Sequence, residues 1–109
     1  MSRSNEPLSI SRLAESITVP WDARDLVTAN DSVFRVLRAE GMMEWHHHEE
    51  DQLFLCWSGT FTIEQRGLAA VRLGPGDIFV IPRGVEHTTS ADAPAYVLMS
   101  IGVHTPARL

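Results

Sequence analysis

The sequence predicts an all-β domain, a jelly-roll barrel with one short helix at its N-terminal end. Three observations carry that reading. After Pro20 the chain breaks into about nine short runs rich in β-branched and aromatic residues. Each run is bounded by residues that reverse a chain. No helical periodicity alternates with the runs, which excludes a parallel α/β sheet. A series of antiparallel strands exposes two edges, and closing into a barrel is how such a series removes them.

The elements follow in order. From Leu8 to Ile17 the apolar residues Leu8, Ile10, Leu13, Ala14 and Ile17 recur near every third or fourth position, so the segment predicts a helix that Ser9 or Ser11 caps. Pro20 ends it. Strands are expected over Leu26–Ala29, Val33–Glu40, Met42–His47, Gln52–Trp57, Thr60–Gln65, Ala69–Leu73, Asp77–Ile81, Glu86–Thr89 and Ala95–Val103. Reversals are expected at Asn30-Asp31, Gly41, Ser58-Gly59, Gly67, Gly74-Pro75-Gly76, Pro82-Arg83-Gly84 and Asp92-Ala93-Pro94. The chain thus reads as one domain over residues 1–109, with an N-terminal extension over 1–20 and a barrel over 26–103.

Size and charge narrow the functions. The 109 residues suffice for one modest core. The hydrophobic content of 44% and charged content of 21% are those of an ordinary globular domain. A net charge of -5 with no basic cluster makes nucleic acid and anionic membranes poor partners. The longest apolar runs, Leu53–Trp57 and Ile78–Ile81, are strand-sized and far short of the ~20 residues of a membrane helix. Met1–Pro7 has no apolar signal region, and the single Cys56 cannot close an internal disulfide. Both features point to a reducing cytoplasm as the expected location.

The candidate chemistry lies in two places. Side chains on a strand alternate faces, so His46 and His48 project to one side and His47 to the other. Gln52 follows across the acidic bend Glu49-Glu50-Asp51, where the next strand starts and can turn its side chain back. The second place runs from Gly76 to His87: a strand, a rigid Pro82-x-Gly84 turn and a returning strand that carries His87. By strand parity Glu44, Met42, Phe54 and Cys56 also face inward. Glu44 is a candidate acid or base there, and the other three form a pocket wall.

The stretch His46-x-His48-x3-Gln52-x6-Gly59 resembles the first motif of the cupin family, and Gly76-x5-Pro82-x-Gly84-x2-His87 matches the second motif in every spacing up to the histidine. With Gly41 as the leading glycine, the two motifs span almost half the chain. The resemblance implies a double-stranded β-helix and a metal held by the two histidines of the first motif, its acidic residue and the histidine of the second. Carried over position by position, these are His46, His48, Gln52 and His87. Three departures stand out. Gly41 is one residue closer to His46 than in the usual pattern, the family's glutamate is Gln52, and the asparagine that often closes the second motif is Ala91.

Gln52 changes the chemistry expected of the site. An amide binds a metal only through its carbonyl oxygen and adds no charge. Three imidazoles and an amide leave a dication uncompensated, which favours anionic ligands. Imidazole donors suit iron, zinc, nickel or copper over magnesium and calcium. The expected function is a metal-dependent enzyme acting on a small, anionic or oxygen-rich molecule, by dioxygenase chemistry or by isomerisation or cyclisation, with Glu44 or Tyr96 moving a proton. The alternatives are a non-catalytic small-molecule binder or sensor and a sugar isomerase or epimerase with Glu44 as base. Trp45, Leu53, Leu55 and Trp57 share the outward face, so a homodimer is expected. His47 and His104 read as surface or packing histidines, and Cys56 as packing.

Overall fold

A computed structural model describes residues 5–102. The helix α1 (Ile10–Glu15) is shorter than the expected span, and the Ser9 hydroxyl caps it by accepting from the Arg12 N–H. Seven strands follow: β1 (Ala23–Ala29), β2 (Ser32–Met42), β3 (Gln52–Ser58), β4 (Phe61–Gln65), β5 (Val71–Leu73), β6 (Ile78–Ile81) and β7 (His87–Gly102). All pairings are antiparallel, in the order β1-β2-β7-β3-β6, with β4 paired to both β5 and β7.

Two expected strands are one. The segments Glu86–Thr89 and Ala95–Val103 belong to a single 16-residue β7, as far as the described residues reach. Asp92-Ala93-Pro94 is a corner in this strand rather than a reversal. Its residues are exposed, and the register with β2 slips between Ala39 and Gly41 as it passes them. Proline is tolerated at such an irregularity because no ladder hydrogen bond is asked of it there. The C-terminal half of β7 lies between β2 and β3, and its N-terminal half pairs with β4. One strand therefore joins the two layers of the barrel. Gly59 sits against the inside of that corner at φ +81°, and a Cβ on it would lie 2.9 Å from the Ala95 Cα. Both the left-handed backbone and the close approach demand glycine.

The core fills the space between the layers. Phe54, Phe61, Ile63, Val97 and Met99 are all 2% exposed or less, as is Cys56. A smaller cluster lies on the outer side of the sheet, where Ala14 and Ile17 of the N-terminal segment pack on Val36 with Tyr96 and Leu98. The Tyr96 hydroxyl donates to the Ile17 carbonyl at 3.0 Å and accepts from Arg38 at 3.2 Å, tying the helical extension to β2 and β7.

Candidate metal centre

The expected strand over Met42–His47 is not regular. β2 ends at Met42, and the chain continues beside β7 through separate contacts: Met43 N–H to Thr89 carbonyl, then a two-way exchange between His46 and His87. The His48 carbonyl accepts from the Gly84 N–H at 2.8 Å, which holds the Pro82-x-Gly84 turn against the histidine segment. Because His46 and His87 are directly opposed across an antiparallel bridge, their side chains leave the same face.

His46, His48 and His87 come together as the two motifs require. Their ring centroids are 4.4 to 5.6 Å apart, and one nitrogen from each lies within 4.8 Å of the others. His47 points elsewhere, with its ring against the Glu49 carboxylate at 3.2 Å. The backbone also sets which nitrogen each ring presents. His46 Nδ1 donates to the Glu44 carbonyl at 2.7 Å, and His87 Nδ1 donates to the Val85 carbonyl at 2.9 Å. A carbonyl only accepts, so Nδ1 carries the proton and Nε2 keeps its lone pair. The Nε2 atoms of both residues are buried and have no hydrogen-bond partner.

Protonation would fill those lone pairs, but the surroundings oppose it. Burial and the neighbouring imidazoles push His87 down to about 4 against the opposing pull of the Val85 carbonyl. A neutral His87 is thus the form present near pH 7, and neutral imidazole is the form that ligates metals. Gln52 begins β3 opposite Ile81, faces the interior at 1% exposure, and neither its amide oxygen nor its amide nitrogen has a partner. Buried polar atoms without partners are costly and rare in a folded chain, and here they converge among donors suited to an ion. Nitrogens about 2.0–2.1 Å from one tetrahedral ion are about 3.4 Å apart, so the three, which lie within 4.8 Å of one another, would draw together by side-chain shifts to hold one. The residues are compatible with a bound metal ion.

Glu44 and Tyr96, the expected proton-moving residues, are placed differently from each other. Glu44 is exposed on the irregular stretch after Met42, where the two-residue alternation of a strand does not hold, and its main-chain carbonyl accepts from His46 Nδ1. Met42 is likewise 60% exposed. Tyr96 alternates with the inward Ala95 and Val97, so it lies on the outer face under the helical extension. Cys56 faces inward as expected. Its thiol lies 3.4 Å from the Gly59 carbonyl, and burial and Asp77 push its pKa up, away from a reactive thiolate. The expected end of the last strand at Val103 and the reading of His104 lie outside the described residues.

Several buried polar residues, Arg35, Gln65, Thr88 and Thr89, carry no motif in the sequence, and Gln65 is the one paired with a site histidine. Gln65 stands directly opposite His87 in the β4–β7 ladder and is 6% exposed. Its signal was present in the alternation Phe61, Ile63, Gln65, where a polar residue occupies an inward position.

The fold and this cluster can be set beside known proteins. The family model of the cupin domain matches residues 32–101. The chain belongs to the cupin family. This cupin superposes on a cupin-2 domain protein from Shewanella frigidimarina with a TM-score of 0.83 and 27% identity, over 87% of this chain and 93% of that one. Hydroquinone 1,2-dioxygenase from Sphingomonas sp., with 4-hydroxybenzoate bound, shares the fold at a TM-score of 0.73 and 18% identity, over 84% of this chain and 70% of that one. Among curated sequences, the uncharacterized protein YdbB of Bacillus subtilis is 33% identical over 61 residues, 55% of this cupin and 54% of that protein. This cupin therefore spans about half the length of that relative. Among the described residues, no helix is long and apolar enough to cross a membrane.

Proposed function

We propose that this cupin is a metal-dependent enzyme in which His46, His48 and His87 hold one divalent transition ion, with Gln52 completing or tuning the set. The observation that carries the reading is the pair of buried Nε2 atoms on His46 and His87, each presented by an Nδ1 bond to the backbone and each without a partner. Iron, zinc, nickel or copper suits such donors. The ion would supply Lewis-acid polarisation of an oxygen-bearing ligand or, if iron, electrons for dioxygen chemistry. The chain's own groups hold the ion and shape the pocket around a small anionic or oxygen-rich substrate. That a hydroquinone dioxygenase shares the fold supports the oxidative version of this reading.

A second reading, a non-catalytic binder or sensor, is favoured by one finding. Of the two residues expected to move protons, Glu44 is exposed, and Tyr96 packs under the N-terminal segment with its hydroxyl bonded to Ile17 and Arg38. An exposed Glu44 also counts against the sugar isomerase or epimerase reading, which needs it as base. The test is turnover against a panel of small phenols, carboxylates and diketones by chain loaded in turn with each of the four metals. We expect metal-dependent turnover that chelation abolishes. Tight metal and ligand binding without turnover would instead establish the binder.

We further propose that the chain is a cytoplasmic homodimer. Trp57, Ile78 and Val80 are each more than 40% exposed on the outer face of β3 and β6, beside half-buried Leu53 and Leu55. An apolar sheet face of this kind is covered in a stable assembly. Light scattering should give the mass of two chains, and Ile78→Lys should return it to one.

A further inference from the structure

We propose that Gln65 binds the ligand of the histidine centre and that this ligand is a small organic anion, a carboxylate or an equivalent enolate or phenolate oxygen. The proposal rests on the metal centre proposed above. Strand β4 buries Phe61 and Ile63 completely, and Gln65 continues their face with 6% of its surface exposed. Another apolar residue there would extend the core, whereas an amide brings a desolvation cost. Gln65 is directly opposite His87, and paired side chains on one face of a ladder have Cβ atoms about 4.5–5.5 Å apart. A ligand seated at the His87 Nε2 therefore lies within reach of the Gln65 amide.

The outer side of the same three segments is clamped. Arg66 stacks over Trp45 at 4.0 Å and pairs with Glu86 at 3.0 Å, so the residues just before His46, just after Gln65 and just before His87 are fastened together. This clamp holds Gln65 in place beside the centre. It also pairs the Glu86 carboxylate with Arg66, and Glu44 is exposed. The inward set of His46, His48, His87, Gln52 and Gln65 carries no negative charge. A dication among them lacks a counter-charge, and the ligand must bring one. An amide N–H to an anionic oxygen is the stronger, charge-assisted kind of hydrogen bond.

The experiment uses full-length chain loaded with cobalt(II), whose visible absorption reports its ligands, titrated with acetate and with the neutral acetamide. Acetate should shift the bands saturably at concentrations where acetamide does not. Gln65→Met, which keeps the volume and removes the hydrogen bond, should weaken acetate binding about tenfold with cobalt content unchanged. Acetamide binding as well as acetate would overturn the anion assignment. Undiminished acetate binding by Gln65→Met would overturn the role of Gln65. Both outcomes leave the metal centre standing, whereas wild-type chain that takes up no cobalt overturns the centre and this inference together.

Discussion

His46 and His87, forty-one positions apart in sequence, exchange both main-chain hydrogen bonds, at 2.9 and 2.8 Å, and bring their rings to 4.4 Å. Each ring is also fixed by an Nδ1 bond to the carbonyl two residues before it. The placement of both nitrogens is therefore written into backbone geometry, which is stiff, and not left to side-chain rotamers. A metal meeting this pair finds donors already ordered.

His87→Ala removes one of the three imidazoles and leaves the bridge to His46 intact, since that bridge is main chain. We expect divalent metal affinity to fall by more than about 100-fold. Far-ultraviolet circular dichroism should stay that of the folded barrel. Unchanged metal uptake by this variant would show that the ligand set is drawn from other residues.

Gln52→Glu places a carboxylate where the amide has no partner. It brings negative charge toward the ion in a poorly solvated site, so divalent affinity should rise by about tenfold or more, as measured by competition with a chelating dye. In the metal-free chain the same substitution buries an uncompensated charge and should lower the melting temperature. Opposite effects with and without metal are the signature expected of this position.

The depressed His87 gives the metal-free chain an acid sensitivity. The folded ring protonates near 4 and an unfolded histidine near the ordinary value of 6.5, so between these values the unfolded chain binds more protons. Stability from this group is complete above pH 6.5 and is lost as pH falls toward 4. Urea midpoints of chelated protein should decline over that window, and less steeply for His87→Gln. Equal slopes for the two proteins would contradict the neutral, buried state assigned to His87.

Tyr96→Phe separates fold from site. The hydroxyl it removes joins Ile17 and Arg38 on the outer face, so the loss should be about 1 kcal/mol of stability, seen in the melting temperature. Metal content should match that of the wild type. A change in metal affinity would place Tyr96 in contact with the centre after all.

Much of this arrangement is legible in the sequence because it follows from local rules. The His46-x-His48 spacing on an extended segment and the Pro82-x-Gly84 turn before His87 determine which way the imidazoles leave the chain. The buried alternation of Gln52, Phe54 and Cys56 also follows from strand parity. Parity misleads where the strand stops being a strand. Between Met42 and His46 the pairing with β7 is held by isolated contacts, and Glu44 and Met42 are exposed. Pro94 misleads for a related reason, since a proline that corners a long strand looks like one that ends a short strand. The surroundings of Tyr96 come from the N-terminal extension packed over its face, a long-range contact that no local pattern announces. Gln65 is not legible as a site residue because its proximity to His87 comes from strand pairing across 22 positions and not from sequence neighbourhood.

Metal content per chain, measured by elemental analysis on protein purified without chelators or an affinity tag that binds metal, tests the central claim most directly. The account predicts close to one equivalent of iron, zinc, nickel or copper, absent from a preparation of His87→Ala. Folded wild-type protein that holds no such ion, and takes none up when offered each of the four at neutral pH, would contradict it.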